Sequence, residues 1–254
     1  MRTISLPWLL ALCAACALLA ACAHTPAEDP ADPLETVNRG MFVFNETADH
    51  YVLRPVARGY DTVMPEVARQ GVRNFVSNLF YPTVIVNDVL QAKGQQGVED
   101  LCRMVINTTI GIGGLFDVAT RGGLVANDED FGQTLGYWGV GPGWYLMIPF
   151  LGPSDNRDLV GRGVGYGTNP LAWVNEPVVS YGVTTLDTLE TRASLLPADR
   201  FLAKQLDRYV FVRTIYLQSR NAKVYDGNPP KDDSAFDSDT DFEETPAEEA
   251  KPAQ

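Results

Sequence analysis

Residues that carry catalysis or bind metals are scarce in this sequence. Its 254 residues include only two histidines and four cysteines, namely His24, His50, Cys13, Cys16, Cys22 and Cys102. Two histidines far apart in sequence do not supply a two-histidine metal site on one rigid element. The sequence also lacks the G-x-S-x-G motif of serine hydrolases and a glycine-rich phosphate loop that ends in Lys-Ser or Lys-Thr. These absences favour a binding or transport protein over an enzyme.

Residues 1–21 are typical of a signal peptide, because Arg2 precedes an almost wholly apolar stretch. The stretch ends in Leu19-Ala20-Ala21-Cys22, which resembles the lipobox where a peptidase cuts before a lipidated cysteine. We therefore expect a covalent lipid at Cys22. A transmembrane helix is the alternative, but polar residues follow without a stop-transfer Lys or Arg. Cys13 and Cys16 lack the residues that precede a lipidated cysteine.

The residues after Cys22 predict where the protein is held. Residues 22–31 form a short tether, and Ala23 rather than Asp follows the lipidated cysteine. By analogy with enteric sorting, this favours the outer membrane, with the protein facing the periplasm.

Cys102 is the only other cysteine of the mature chain, so no intramolecular disulfide is available and packing alone must stabilise the fold.

Basic residues are outnumbered by acidic ones, 20 against 32, which gives a formal net charge of −12. Residues 226–254 carry ten acids and two lysines, and their lack of apolar residues predicts a disordered acidic tail. This tail is either a solubilising extension or a docking peptide. The body before it is also net negative, which excludes nucleic acid as a partner.

Apolar residues spaced three and four apart predict a mainly α-helical domain over residues 32–225. Asp32 is expected to cap the first helix, with Pro33 at its first position and its end near Leu53. This helix is apolar over a wider arc than a soluble surface helix, which favours contact with lipid. Alternation of period two does not recur over several segments, so no β-barrel is predicted. Further helices are predicted over 65–79, 83–91, 95–110, 170–174, 177–195 and 199–220, with a break at Tyr81-Pro82.

The segment from Gly111 to Gly167 holds 15 of the 22 glycines, yet it also carries large apolar residues. Gly111-Ile112-Gly113-Gly114 is either a pliable hinge or a close helix crossing. The apolar run from Trp144 to Leu151 belongs to a core or faces lipid. The acidic run Asp128-Glu129-Asp130 is either a loose calcium site or a solvated turn before a helix. The candidate membrane-facing residues are Trp144, Tyr145, Leu146, Ile148 and Phe150.

A series of short motifs resembles, in the same order, the VacJ/MlaA-type outer-membrane lipoproteins. The resemblance runs from Asp32 to about Arg220 and leaves out the acidic tail. The motifs are Asp32-Pro33-Leu34-Glu35, Asn38-Arg39, Phe44-Asn45, Arg54-Pro55-Val56-Ala57, Asn74-Phe75, Asn78-Leu79, Asn107 to Gly114, Phe116-Asp117-Val118-Ala119, Asp130 to Gly136, Gly139 to Gly143, Leu146 to Phe150, Arg157-Asp158 and Glu190-Thr191-Arg192-Ala193.

This resemblance implies a ring-like bundle of amphipathic helices in the inner leaflet of the outer membrane, with a central amphipathic channel. It implies that misplaced phospholipid is removed from the outer leaflet and passed to a soluble periplasmic carrier. A trimeric outer-membrane porin is the implied partner, no bond is made or broken, and no cofactor is needed besides the lipid on Cys22.

The candidate channel or gate residues come from two places, the glycine motif with the two residues after it and the first helix. A moving glycine hinge would shift the two apolar residues that follow it. For the two residues on the first helix, packing is the alternative role. These candidates are Gly111, Gly113, Gly114, Leu115, Phe116, Phe44 and Asn45.

Two other functions remain open on the residues alone. A lipoprotein scaffold that binds a porin or other envelope complex needs only an exposed patch, whereas a lipid transporter needs a continuous cavity with an apolar face. An envelope hydrolase would need a desolvated polar cluster. The carboxylates available for that cluster in the glycine-rich region are Asp117, Glu129, Asp130 and Asp158.

Overall fold

The structure is a computed structural model that describes residues 29–230, and this part of the chain is mainly helical. The strands found within it form one two-stranded antiparallel sheet. The predictions for the signal peptide, for Cys22, for most of the tether and for tail residues 231–254 lie outside the described residues. Between residues 29 and 230, no helix combines the length and the apolarity needed to cross a membrane.

The first helical segment is longer than its sequence predicts. Helix α1 (Glu35–Ala48) continues through a π-helical turn (Asp49–Leu53) into α2 (Arg54–Val63). The predicted end near Leu53 is therefore wrong. Pro55 lies in the first turn of α2, and the wider π turn before it lets the chain continue where proline has no N–H to donate.

Asp32 does not cap α1, because Leu34 occupies the cap position without a side-chain hydrogen bond. Asp32 is instead buried, and its carboxylate accepts hydrogen bonds from Asn38 at 2.8 Å, from Arg213 at 2.9 Å and from the Tyr209 hydroxyl. These partners lie far apart in the chain, so the carboxylate joins the two ends of the domain.

Helices α3 (Glu66–Leu90) and α4 (Gly94–Thr109) form a packed pair. The predicted break at Tyr81-Pro82 is wrong, since Pro82 lies inside α3. Tyr81 is buried, and its hydroxyl accepts a hydrogen bond of 2.9 Å from the equally buried guanidinium of Arg103 on α4. Such tertiary contacts outweigh the local cost of a proline in the helix.

The glycine-rich segment contains short elements that glycine brings close together. Helices α5 (Val118–Arg121) and α6 (Phe131–Tyr137) precede strands β1 (Tyr145–Ile148) and β2 (Gly152–Asp155), which α7 (Asn156–Gly165) follows. A methyl group added at Gly161 would lie 2.5 Å from the backbone nitrogen of Gly132. Only glycine therefore permits α6 and α7 to cross at this distance.

The C-terminal part contains α8 (Pro177–Ser194), α9 (Asp199–Leu202) and α10 (Arg208–Val224), with 3₁₀ turns at Tyr166–Thr168, Pro170–Trp173 and Leu196–Ala198. The prediction of a single helix over residues 199–220 is wrong, because α9 ends at Leu202 and the chain turns before α10 begins at Arg208. Asp207 ends this turn and caps α10 by accepting a 3.1 Å hydrogen bond from the Val210 backbone N–H.

The distribution of polar residues is unusual for a soluble domain. Between residues 29 and 230, eighteen polar or charged residues are buried against ten apolar ones, and many large apolar side chains are exposed. The apolar core is a cluster around Tyr145, Met147 and Tyr209. Ion pairs and hydrogen bonds thus fill much of the interior, and the apolar surface needs a covering other than water.

Candidate functional site

Two asparagines of α1 hold the β1–β2 hairpin. The side-chain amide of Asn38 donates to the Tyr145 carbonyl at 3.0 Å and accepts from the Met147 N–H at 2.9 Å. Asn45 donates to the Ile148 carbonyl at 2.9 Å and accepts from the Phe150 N–H at 2.7 Å. Because the two asparagines are two helical turns apart on one face, α1 is attached along the whole length of β1.

The hairpin separates the candidate membrane-facing residues onto its two faces. Tyr145 is fully buried and packs in the core, so the prediction that it faces the membrane is wrong. Side chains alternate along a strand, and Tyr145 lies on the inner face together with Met147. Trp144 and Phe150 are 52% and 78% exposed, while Leu146 and Ile148 are half-buried on the outer face. These four residues remain available for a membrane.

Phe44 and Asn45 occupy different environments although they are neighbours. The Phe44 ring packs edge to face against Phe150 with 5.0 Å between ring centroids, and it is 44% exposed. Asn45 lines a cavity of about 540 Å³ between α1, the hairpin, the α8–α9 connection and α10. We call this the apolar cavity, since most of its wall is made by Phe42, Met147, Leu195, Phe201, Leu202, Phe211, Val212 and Ile215.

One part of the wall of the apolar cavity is charged. Arg192 donates to Asp49 at 2.5 and 3.0 Å and to Asp199 at 2.9 and 3.0 Å. Arg54 approaches the same two carboxylates at 3.1 and 3.4 Å. Burial alone would raise the pKa of Asp49, but hydrogen bonds and charge from Arg192 outweigh it and keep that pKa below its usual range.

Arg192 retains one donor that the protein does not use. Its side chain is about nine-tenths buried, and its Nη1 has no hydrogen-bond partner among residues 29–230. A buried donor without an acceptor costs free energy. This nitrogen is closed off from solvent, so the polar part of the wall is the ion-pair cluster itself, and its position beside an apolar wall suits an amphipathic ligand.

The glycine motif forms a tightly bonded loop at the end of α4. The N–H groups of Gly113 and Gly114 donate to Thr108 and Asn107 at 2.8 Å each. Gly114 has a φ of +92°, and a methyl group there would lie 2.5 Å from Asn78. At Gly111 a methyl group would collide with the Phe116 carbonyl. Close packing therefore requires two of the three glycines, and the hinge stays a prediction.

The two apolar residues after this loop reach the surface. Leu115 and Phe116 are 41% and 49% exposed. The Leu115 carbonyl accepts a hydrogen bond of 3.2 Å from Asn74 on α3. The loop is therefore attached to α3 and α4, while Phe44 and Asn45 are attached to the hairpin.

The carboxylates considered for a hydrolase have structural partners. Asp117 accepts from Arg103 and caps α5, and Glu129 accepts from Lys93 at 2.9 Å. Asp130 and Asp158 both bind Arg220. The calcium alternative gains no support, since no group of three potential metal-binding side chains occurs within residues 29–230. Ion pairing explains these four acids.

Sequence reasoning missed the charged residues of the apolar cavity. Arg192 lies in a motif of the resemblance, but nothing in its spacing indicates Asp49, which lies 143 positions away. Arg54 is likewise part of a motif, whereas Asp199 has no local signal. Only contacts between α8 and the α1–α2 junction bring these side chains together.

Comparison with known proteins agrees with this architecture. The family model described as MlaA lipoprotein matches residues 30–223. An intermembrane phospholipid transport system lipoprotein MlaA from Escherichia coli K12 is 40% identical over 83% of this chain and 86% of its own length. The corresponding protein of Haemophilus influenzae is 33% identical over 77% and 80%, and an uncharacterized protein of Rickettsia typhi is 37% identical over 76% and 78%.

A solved structure supports the same relationship. It was described under the heading "Structural basis for maintenance of bacterial outer membrane lipid asymmetry", and it aligns with a TM-score of 0.70 at 38% identity. The alignment covers 76% of this chain and 98% of the solved one. The mainly helical fold is thus shared, and the chain belongs to the MlaA lipoprotein family.

Proposed function

We propose that this protein transports phospholipid between the membranes of the bacterial envelope without chemical change. It removes misplaced phospholipid from the outer leaflet of the outer membrane and passes it to a soluble periplasmic carrier. Relatives that share most of its length are named as lipoproteins of an intermembrane phospholipid transport system, which supports transport rather than catalysis.

The observation that carries this proposal is the apolar cavity with Arg192 in its wall. A phospholipid needs an apolar wall for its acyl chains and polar groups beside that wall for its oxygen-rich end. The cavity offers both, because aromatic and aliphatic side chains line it and the ion pairs of Arg54 and Arg192 with Asp49 and Asp199 form one part of its wall. Its volume of about 540 Å³ falls in the range of small-molecule sites and suits part of a lipid.

The exposed apolar surface supports immersion of the body in the inner leaflet of the outer membrane. The exposed Trp144 is of the residue type enriched at the interface between lipid and water, and the exposed Phe150 suits the apolar region beside it. A covalent lipid on Cys22 would deliver and orient the protein, and a trimeric porin would cover part of the remaining apolar surface. In this arrangement the apolar cavity is part of a central channel, and the Gly111–Phe116 loop, which contributes no residue to the lining of that cavity, gates another part of the channel.

The experiment tests for bound lipid in the mature protein purified in mild detergent, with phospholipid quantified by mass spectrometry. Val212→Arg, which places a charge in the apolar cavity, should remove most of the copurified phospholipid. Val125→Arg is the matched control, because Val125 is 70% exposed and lies outside that cavity.

Three outcomes separate the possible functions. Intact phospholipid in the wild type and in Val125→Arg, but not in Val212→Arg, supports transport through the cavity. Absence of phospholipid from the wild type would favour a scaffold that uses its exposed apolar surface only. A cleaved phospholipid would indicate a hydrolase.

A further inference from the structure

A second cavity of about 630 Å³ lies between α2, the start of α3 and the turn after α8. We call it the polar cavity. The last turn of α8 lies between the two cavities, since Ala193 and Ser194 line the polar one while Arg192 and Leu195 line the apolar one. The residues that line the polar cavity are Asp61, Glu66, Arg69, Arg73, Ala193, Ser194, Leu196, Pro197 and Arg200.

Positive and negative groups alternate along the wall of the polar cavity. Arg69 binds both Asp61 and Glu66, and Arg73 donates to Glu66 at 2.7 Å. Hydrogen bonds from Arg73, helped by the charge of Arg69, outweigh the effect of burial and hold the pKa of Glu66 below its usual value, so this carboxylate is charged at neutral pH. Arg200 forms no ion pair with any residue between 29 and 230.

Several buried polar atoms beside this cavity have no partner among the described residues. They include Nε of Arg69, Oε2 of Glu190 and the hydroxyl of Tyr60. Glu190 is only 3% exposed, and it forms an ion pair with Arg73. Burial, assisted by Glu190, raises the pKa of Tyr60 to about 12, so the hydroxyl keeps its proton. These atoms are closed off from solvent and Tyr60 lies against Glu190, so they belong to the polar support behind the cavity, and the groups that can meet a ligand are the lining side chains, such as Arg69 and Arg200.

We infer that the polar cavity binds the zwitterionic head group of a phospholipid, with its phosphate on Arg69 and Arg200 and its primary amine on Asp61 and Glu66. Such a ligand carries one charge of each sign, so it can exchange partners within the ion-pair network without leaving a charge unpaired. A head group with only negative charge could bind the arginines, but it would bring no ammonium group to the carboxylates of Asp61 and Glu66, so it should bind less tightly than a zwitterion.

The lining also discriminates between amines. Quaternary ammonium groups such as choline are typically bound by cages of aromatic side chains. None of the described residues that line the polar cavity is aromatic. Carboxylates instead accept hydrogen bonds from a primary ammonium group, so the chemical class is a phosphoethanolamine head group. This inference rests on the proposed function and specifies the lipid that is transported.

The first experiment measures lipid class as a ratio. The mature protein in detergent is equilibrated with equal amounts of phosphatidylethanolamine and phosphatidylglycerol, and both bound lipids are quantified by mass spectrometry. The wild type should retain the ethanolamine lipid in excess. Glu66→Gln should shift the ratio toward the glycerol lipid by a few-fold, up to about fivefold, since one ion pair at a solvent-exposed carboxylate is lost. Glu176→Gln, an exposed acid outside the cavity, should leave the ratio unchanged.

A second experiment separates this inference from the proposed function. It measures binding of glycerophosphoethanolamine and glycerophosphoglycerol, which have no acyl chains and do not need the apolar cavity. Tighter binding of the ethanolamine compound, weakened by Glu66→Gln, supports the head-group site. Equal binding of the two compounds, or a ratio that Glu66→Gln does not change, overturns it even when phospholipid copurifies normally. Total copurified phospholipid reports separately on transport.

Discussion

Charged residues fill the interior around α6, α7 and α10, whereas apolar residues cover the outer face of the hairpin. This distribution is the reverse of that in a typical soluble protein. In the interior, Arg220 joins Asp130 and Asp158 with hydrogen bonds of 2.7 to 2.9 Å. On the hairpin, Phe150 is 78% and Leu151 63% exposed. Paired charges thus stabilise the inside, while apolar side chains are presented outside.

This difference has a physical explanation. Buried charges need partners, because an unpaired charge in a low-dielectric interior is strongly unfavourable. Apolar groups on the surface need lipid or another protein, because water around them costs free energy. The fold therefore uses polar contacts for its own cohesion and leaves its apolar side chains for the environment.

The largest expected effect comes from breaking the interior charge network. Arg220→Met leaves Asp130 without a cationic partner and Asp158 with Arg157 alone at 3.4 Å, and we expect a loss of about 3 kcal/mol in the free energy of unfolding. Arg208→Met is the control, since its pair with Glu46 is more exposed and contributes at most about 1 kcal/mol. Denaturant unfolding in detergent measures both. Equal losses would contradict the interior role of the network.

The interior also predicts a dependence of stability on pH. Burial, together with the charge of Asp100, raises the pKa of Asp88 to about 7, against about 3.9 in an unfolded chain. The folded state therefore binds the proton more tightly. The contribution of Asp88 protonation to the free energy of unfolding is fully present below about pH 4. It is lost as the pH rises through about 7, and the free energy of unfolding falls by up to about 1.4 kcal/mol per pH unit in this range. In Asp88→Asn, the free energy of unfolding should depend much less steeply on pH across this range. If the dependence stays as steep as in the wild type, a group other than Asp88 takes up the proton.

A smaller effect is expected where the exposed glycine loop meets the interior. Gly114→Ala collides with Asn78 and should cost about 1 to 3 kcal/mol. Gly113→Ala has open space around the new methyl group, and its φ of +69° costs about 1 to 2 kcal/mol. Thermal unfolding ranks the two variants. If both slow phospholipid removal equally while their stabilities differ, the loop acts as a hinge; if the rates follow stability, close packing is its role.

The smallest effect on stability is expected at the outer face of the hairpin. Leu151→Ser should change the free energy of unfolding by no more than about 0.5 kcal/mol, because the side chain is already exposed. Its binding to phospholipid vesicles should nevertheless weaken by about tenfold, since burying a leucine in lipid contributes about 1.5 to 3 kcal/mol. Flotation with vesicles measures this, using a Cys22→Ser background in which the proposed acyl anchor could not form. Unchanged flotation would place the hairpin turn outside the membrane.

Local patterns predicted several elements closely. The helix expected over 95–110 is observed as Gly94–Thr109, and the helix expected over 177–195 as Pro177–Ser194. Both lie in segments where apolar spacing and flanking glycine or proline agree. The predictions that proved wrong concern residues whose role depends on distant partners, such as Pro82 inside α3 and Tyr145 in the core.

The sequence by itself determined the helical class, the family resemblance and the position of most helices, because these follow from residues within one or two turns of each other. Only the tertiary structure decided that Asp32 forms an ion pair with Arg213 of α10, which lies 181 positions away in the sequence. It also decided that Arg192 meets Asp49 beside an apolar wall. Such contacts have no local signature, since a buried ion pair depends on how elements pack and not on the spacing within them.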